Sequence, residues 1–376
     1  MKKISLIAVF CISMFAALQS YVKAESLEHE CTSWIVFSDL TKNNTNILHK
    51  NRDSKKRDIV VALSPASSPR KWIGQGNPEC PTNMAMNTSG LAGVMNSGEK
   101  CINHSTDKTK KGTPAILRVI IESCDTAAQA VEKLKEILKS GDYWHWKNGS
   151  IFFFCDPQEG YVCEMTAKDI TVVRYDNGYT VRANIWLNPG MQKFARNGIK
   201  GYLNSAGRMF TVISRLNKAL DKTGKISVAE CIATSRNYKM PAKVHDKRSV
   251  CGNHTNSAAT FEIDKEYPAV LSTAYFTTGH PLHTICVPVP VCAEKLHPAM
   301  GDLSWAKAAF ARRDKLKLKD IPPEWAKFEQ EHMATYNAAK DQARKLLAKG
   351  KRTEAVKMLN DTAWKIWEEA AEKLSL

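Results

Sequence analysis

Short runs of β-branched and aromatic residues recur between Cys31 and about Cys292, and they predict a strand-rich region. The predicted strands are Ser33–Phe37, Ile59–Leu63, Ile151–Cys155, Tyr161–Glu164, Ile170–Tyr175 and Tyr179–Leu187. Their close spacing indicates antiparallel hairpins. Asp176-Asn177-Gly178 separates the last two strands and supplies residues that tolerate the positive φ of a tight turn, so we expect a hairpin there.

Helical patterns lie between these strand runs. Thr126-Ala-Ala-Gln129 has the form of a capping box, and apolar residues then repeat at helical spacing until Gly141. A second helix is predicted from about Ser205 to Leu220, and a third opens at Ser227. Helices placed between runs of antiparallel strands predict an α+β domain built from sheet and helix layers.

The composition changes beyond about Asp302 to Ala, Lys, Glu, Arg and Trp, with almost no strand signal. Pro322-Pro323 can open one helix there. An apolar stripe marks a later helix through Ala355, Met358, Leu359, Ile366, Ala370 and Leu374. Such a stripe is typical of core packing, so we predict a main domain over 31–300 and a helical C-terminal extension over 301–376.

The first 24 residues have the features of a secretory signal. Lys2-Lys3 precedes an apolar stretch from Ile4 to Leu18, and Val22-Lys23-Ala24 resembles a cleavage site. The stretch is shorter than the roughly 20 residues of a membrane span, and no later segment reaches that length. We therefore expect a secreted or periplasmic protein without membrane insertion, in which 1–24 is the signal and 25–30 a short propeptide.

Charge and short motifs exclude several function classes. The chain has 54 basic and 38 acidic residues, a net charge of +16, but its basic runs are short and lack interleaved aromatic residues. A solvated basic surface is therefore favoured over nucleic-acid binding. No phosphate-cradling glycine motif indicates a nucleotide cofactor, and Pro281 argues against a zinc site at His280 and His283. We expect no cofactor and no metal, and a homo-oligomer is left open.

Ten cysteines remain once Cys11 of the signal is removed. An oxidising compartment favours disulfides, although their pairing cannot be deduced from sequence. Cys155 and Cys163 flank a turn-like segment and form the most plausible local bridge. Cys80 with Cys101 is a second candidate pair.

Cys31 follows the predicted signal closely, and its chemistry depends on where the chain is cut. If the chain begins at Cys31, the free α-amino group has a pKa of roughly 7.7 to 8.0, near the thiol value of about 8.5. One residue then supplies both the nucleophile and its base. The alternative is an ordinary disulfide cysteine.

Four segments follow Cys31 in a set order. They are Lys50-Asn51-Arg52-Asp53, Met86 to Asn96, Ala183 to Pro189, and Ser205-Ala206-Gly207-Arg208. Together with Cys31 this order resembles the cysteine N-terminal-nucleophile hydrolases of the acyl-CoA:6-aminopenicillanic acid acyltransferase group, and more distantly the choloylglycine hydrolases. The resemblance spans about Cys31 to Val291. It implies a four-layer αββα sandwich, self-cleavage that frees Cys31, and hydrolysis or acyl transfer at non-peptide or small-peptide amides.

The resemblance also implies roles for individual residues. Asp53 matches the aspartate that holds the terminal amine, and Asn184 matches the side-chain oxyanion donor. A turn at Asn96 would supply a backbone N–H to the same oxyanion. Arg208 matches a helix-borne arginine that lowers the thiol pKa or binds an anionic group of the substrate.

Two further positions, Lys50 and Asn87, are predicted to bind substrate. The family commonly has Arg-Asn-x-Asp where this chain has Lys50-Asn51-Arg52-Asp53, so a lysine replaces the usual arginine. The lysine ammonium is a point charge, whereas the arginine guanidinium can donate two parallel hydrogen bonds. We therefore expect substrate recognition to be less specific. We expect Arg52 to be solvated.

Two functions from different classes are consistent with these features. The first is an exported cysteine amidohydrolase acting on a small-molecule amide through Cys31. The alternative is a disulfide-stabilised, basic secreted protein that binds anionic polymers without catalysis. Cysteine pairing separates them, because catalysis needs Cys31 unpaired whereas the binding protein can pair all ten.

Overall fold

The computed structural model describes residues 31–145, 147–196, 199–238 and 249–376. The predicted signal and propeptide, residues 1–30, lie outside the described residues. Strands β1 to β7 are Thr32–Val36, Asn46–Asp53, Val60–Leu63, Trp72–Asn77, Cys80–Asn87, Ala92–Lys100 and Asn148–Cys155. Strands β8 to β13 are Gly160–Met165, Ile170–Tyr175, Tyr179–Arg182, Thr255–Ile263, Thr273–Thr278 and Cys286–Pro290.

Two antiparallel sheets stack face to face. One has the strand order β10-β1-β2-β11-β12-β13, and the other runs β3-β4-β5-β6-β7-β8-β9 in sequence order. Alternating side chains of both sheets fill the space between them, as Ile35, Leu48, Met86 and Phe153 illustrate. This shared apolar core holds the two sheets together.

Helices cover the outer face of each sheet. Helices α1 to α5 are Thr113–Ser123, Ala127–Lys139, Pro189–Gln192, Ile199–Thr223 and Val228–Ser235. Helices α6 to α10 are Pro268–Leu271, Pro298–Gly301, Ser304–Lys315, Pro323–Ala348 and Arg352–Lys373. Helices α1 and α2 pack on the seven-stranded sheet, while α4 and α5 pack on the six-stranded sheet. The predicted αββα arrangement is confirmed.

Local signals place two of these helices as predicted. Thr126 accepts a hydrogen bond from the backbone of Gln129, and the Gln129 side chain bonds back, which completes the capping box of α2. Ser227 and Glu230 form the same arrangement at the start of α5. Gly141 follows α2 with a φ of +71°, a conformation that glycine adopts without steric cost.

The C-terminal helices share the core of the sandwich. Trp367 of α10 donates a hydrogen bond to the carbonyl of Pro288 in β13 at 2.7 Å. The apolar stripe predicted for this helix packs inward, with Ala355, Leu359 and Ile366 buried in the cluster that lies between the sheets. The prediction of a helical tail is thus confirmed, while its boundary as a separate domain stays a prediction.

The predicted hairpin at Asp176 to Gly178 is wrong. Strand β9 ends at Tyr175 in the seven-stranded sheet, whereas β10 begins at Tyr179 in the six-stranded sheet. The three residues therefore carry the chain from one sheet to the other. Gly178 does adopt a φ of +72°, so the turn signal is real although the two strands do not pair.

The predicted disulfides are also absent. All ten cysteines from Cys31 to Cys292 are free thiols in the described chain. Cys155 faces the core between the sheets, whereas Cys163 faces the helices on the outer side of the same sheet. Side chains on opposite faces of a sheet cannot reach each other, so the prediction of a Cys155–Cys163 bridge is wrong.

Among the described helices, none combines the length and apolar character needed to cross a bilayer.

Candidate active site

Cys31 lies at the entrance to β1 and is buried, with 5% of its surface exposed. It lines a cleft of about 350 Å³ at one end of the sandwich. The cleft is bounded by the end of β2, the β4–β5 hairpin, β6, and the start of α1. A larger groove of about 600 Å³ lies between α5 and α9, and it contains no cysteine among its lining residues.

Strand register brings Lys50 to the same face of the sheet as Cys31. Thr32 pairs with Asn51 and Ser33 with Lys50, so Cys31 lies one step further, beside Arg52. Residues directly opposite in an antiparallel pair share one face of the sheet. Burial lowers the pKa of Lys50, an effect that the Cys31 thiolate opposes by attraction. Its Nζ donates to the carbonyl of Met95 on β6.

Arg52 enters the cleft, and the prediction that it is solvated is wrong. Positions 50 and 52 of one strand point to the same face, so the register that turns Lys50 inward turns Arg52 inward too. Only 8% of Arg52 is exposed. Its Nη2 donates to Asn77 Oδ1 at 2.6 Å, while Nη1 is buried without a partner among the described residues. Burial lowers its pKa to about 10.

Arg208 joins Cys31 to Asn184, the predicted oxyanion donor. It projects from α4, and its Nη1 donates to the carbonyl of Cys31 at 2.5 Å and to Thr32 Oγ1 at 2.8 Å. Its Nη2 donates to Asn184 Oδ1 at 2.7 Å. The planar fork therefore fixes the backbone of Cys31 relative to Asn184.

The orientation of the Asn184 amide is determined by its two neighbours. Arg208 can only donate, so it faces Oδ1, and the carbonyl of Ser97 can only accept, so it faces Nδ2 at 2.7 Å. An amide nitrogen carries two hydrogens, and Ser97 takes one. The second hydrogen makes no hydrogen bond within the described chain, and Asn184 is not among the residues that line the cleft. Its role as an oxyanion donor stays a prediction.

Asn96 lies inside β6 and pairs with Ile151, so the predicted turn at this position is wrong. Its Oδ1 accepts from Ser33 Oγ at 2.8 Å, and its Nδ2 donates to the carbonyls of Ala183 at 3.1 Å and Arg182 at 3.3 Å. The side chain thus ties both sheets together next to Asn184. Its predicted backbone role toward an oxyanion stays a prediction.

Asp53 lines the same cleft as Cys31. It closes β2, where its Oδ1 accepts a hydrogen bond from Thr255 Oγ1 at 2.5 Å. Its carboxylate also attracts the ammonium of Lys50, which opposes the effect of burial on the lysine pKa. The carboxylate is therefore placed where a cationic terminal amine could be held, and that role stays a prediction.

Asn87 is not part of the cleft. It ends β5, at the turn into β6, and its side chain is fully used there. Its Oδ1 accepts from the backbone of Ser89 and Leu91, and its Nδ2 donates to the carbonyls of Ile121 and Cys124 at 2.9 and 2.8 Å. These bonds join the turn to the end of α1, so its position gives no support to substrate binding.

The cleft also contains a pair that the sequence patterns did not indicate. Ser97 Oγ and His145 Nε2 lie 2.6 Å apart, and both residues line the cleft. No motif links them, because they are separated by the whole of α1 and α2. Within the described ranges, no group of three or more His, Cys, Asp or Glu side chains is arranged to hold a metal ion.

The chain is similar to one protein family and to several solved structures. Residues 40–222, slightly less than half of the chain, match the family described as acyl-coenzyme A:6-aminopenicillanic acid acyl-transferase. A penicillin V acylase from Agrobacterium tumefaciens has a similar structure at 14% identity, with a TM-score of 0.45 over 69% of this chain and 86% of that one. A conjugated bile acid hydrolase from Clostridium perfringens is similar at 14% identity, with a TM-score of 0.43 over 69% and 92%. No curated protein matches the sequence.

The family match confirms the resemblance found in the ordered motifs, over the matched residues. The description of the matched family names an acyl-transferase, the activity that the ordered motifs implied. The matched range includes Asp53, Asn96, Asn184 and Arg208 but begins after Cys31. The nucleophile therefore rests on the motif order and on the contacts that Arg208 makes.

Proposed function

We propose that the protein is an exported cysteine amidohydrolase, or acyltransferase, whose nucleophile is an autocatalytically exposed Cys31. The observation that carries this proposal is the set of hydrogen bonds from Arg208, which holds both the Cys31 carbonyl and the Asn184 side chain. Cys31 and the proposed oxyanion donor are thereby fixed relative to each other beside a cleft large enough for a small amide. Such a preformed arrangement is what acyl transfer requires.

The reaction proceeds in two steps. The α-amine of Cys31 takes the thiol proton, and the thiolate attacks the carbonyl carbon of the substrate amide. Asn184 Nδ2 donates to the oxyanion, the C–N bond breaks, and the ammonium protonates the departing amine. Water then hydrolyses the thioester, giving a carboxylate and the free thiol. In acyl transfer a second amine replaces that water.

Processing uses the same groups. The Cys31 thiol attacks the carbonyl of Glu30, the peptide C–N bond breaks, and the thiol proton passes to the nitrogen that becomes the α-amine. Water cleaves the resulting thioester, so that Glu30 leaves with a carboxylate and Cys31 recovers its thiol. Lys50 stabilises the thiolate in this step, because its buried ammonium lies beside the sulfur.

The test is the N-terminal residue of protein recovered from an exporting host. Intact-mass measurement should find wild-type protein beginning at Cys31, whereas Cys31→Ala should begin at Glu25 after signal cleavage alone. Cys292→Ala removes a free thiol outside the cleft and should still be processed. If Cys31→Ala is processed like the wild type, another protease makes the cut and self-processing is rejected.

The non-catalytic alternative, a disulfide-stabilised protein that binds anionic polymers, has less support. It requires paired cysteines, whereas the ten described thiols are all free. Thiol titration of the unfolded, unreduced protein distinguishes the two functions. The amidase requires a reactive thiol at Cys31, and complete absence of free thiols would favour the polymer-binding protein.

A further inference from the structure

Three buried cations that do not line the cleft face carboxylates. Arg236 pairs with Glu329 at 2.5 Å, and Lys340 pairs with Glu262 at 2.7 Å. Arg182 and Glu164 form a third buried pair at 3.1 Å. A buried charge is costly unless an opposite charge and hydrogen bonds compensate it, and these pairs meet that condition.

The cations around Cys31 differ, of which Lys50 and Arg52 line the cleft. Lys50 donates to a backbone carbonyl, Arg52 to an amide oxygen, and Arg208 to carbonyl, hydroxyl and amide oxygens. No ion pair within 4 Å joins any of these three to a carboxylate of the described chain. Glu79, at the rim of the cleft, pairs instead with the exposed Lys56 at 3.0 Å.

Among these cations, Arg52 has a buried hydrogen-bond donor that no acceptor of the described chain satisfies. Lys50 lies beside the sulfur of Cys31, and the donors of Arg208 hold Cys31, Thr32 and Asn184. Arg52 makes one hydrogen bond, to Asn77, while its Nη1 is buried without a partner. A buried guanidinium donor without an acceptor costs free energy of folding, and a bound anion would recover it.

We propose that the cleft selects amide substrates that carry a carboxylate close to the scissile bond, and that Arg52 is the residue that recognises it. This inference rests on the proposed function, since it names the class of substrate for the Cys31 site. Arg52 lies beside Cys31 across the β1–β2 register, so the carboxylate must lie a few bonds from the attacked carbonyl. The cleft volume of about 350 Å³ fits a small molecule.

Alkylation of Cys31 tests this site without a known substrate. Iodoacetate and iodoacetamide both transfer a two-carbon group to the thiolate and release iodide, but only iodoacetate carries a carboxylate. The rate ratio of iodoacetate to iodoacetamide at Cys31, measured by peptide mass mapping, should fall about tenfold or more in Arg52→Gln. A change in thiolate content affects both reagents equally and cancels in the ratio.

Two variants serve as controls. Arg52→Lys keeps the positive charge but lacks the paired N–H donors of the guanidinium. It should retain part of the wild-type preference for iodoacetate over iodoacetamide. Lys71→Gln removes one exposed positive charge outside the cleft lining and should leave the ratio within about twofold of wild type. The proposal is rejected if Arg52→Gln, folded as judged by thermal unfolding, keeps the wild-type ratio. It is also rejected if wild-type Cys31 reacts with iodoacetamide but not with iodoacetate.

Cleavage of matched amides separates this inference from the proposed function. The probes are an N-acyl aminonitrobenzoic acid and the same N-acyl nitroanilide without the ring carboxylate. Wild type should prefer the acid in kcat/KM, and Arg52→Gln should lose that preference through KM. If neither amide is cleaved but the alkylation ratio depends on Arg52, the anion site stands and the amidase proposal is weakened. Equal cleavage of both by wild type, with no effect of Arg52→Gln, rejects the anion site alone.

Discussion

Two groups of buried cations around the six-stranded sheet have opposite surroundings. Where the C-terminal helices pack, Arg236 and Lys340 each face a glutamate, so the charges join α9 to the end of α5 and to β11. Beside Cys31, Lys50 and Arg52 donate hydrogen bonds to neutral oxygens and form no ion pair with a carboxylate of the described chain. Paired charges serve structure, whereas charges without a carboxylate leave attraction available for a thiolate or a substrate anion.

The largest effect is expected on stability, at the buried pair of Arg236 and Glu329. Arg236→Gln leaves Glu329 buried without its partner and should lower the free energy of unfolding by about 3–5 kcal/mol in urea titration. The double variant with Glu329→Gln should lose much less than the sum of the two single variants. Additive losses would show that the two charges do not interact.

Removal of the predicted oxyanion donor comes next. Asn184→Ala should lower turnover roughly 10²–10³-fold, because one such donor typically contributes that much. Its free energy of unfolding should fall by about 1–3 kcal/mol, less than in Arg236→Gln, because Arg208 Nη2 and the Ser97 carbonyl each lose a partner. Turnover within a few-fold of wild type, against any amide that the wild type cleaves, would remove Asn184 from the mechanism.

Asn87→Ala is the control variant for Asn184→Ala, since Asn87 is a buried asparagine with no predicted part in the chemical steps. It should lower the free energy of unfolding by about 1–3 kcal/mol, because the carbonyls of Ile121 and Cys124 and two backbone donors lose their partner. Turnover per folded molecule, measured with active-site titration, should stay at the wild-type value. A selective loss of turnover would return Asn87 to the substrate site.

The smallest effect on stability is expected at Arg52. Arg52→Gln removes a buried charge that has no carboxylate partner, and glutamine can still donate to Asn77. The free energy of unfolding should therefore change by less than about 1 kcal/mol, or rise. A loss as large as that of Arg236→Gln would mean that Arg52 stabilises the fold as Arg236 does. The contrast between cations paired with a carboxylate and the cations beside Cys31 would then be wrong.

Signals that act over three or four residues could be predicted from the sequence. The capping boxes at Thr126 and Ser227 each need only a hydroxyl and a carboxamide or carboxylate one turn apart, and both helices begin where expected. The order of motifs after Cys31 likewise indicated the family.

Tertiary structure decided which face each side chain occupies and which strands pair. Asp176 to Gly178 has the composition of a hairpin turn, yet the strands it joins lie in different sheets. Arg52 is a charged residue near a strand end, yet the β1–β2 register turns it toward Cys31. Local sequence determined the turns, the helix starts and the reactive residue types, whereas inward or outward orientation depended on contacts between residues far apart in the chain, which only packing of the two sheets establishes.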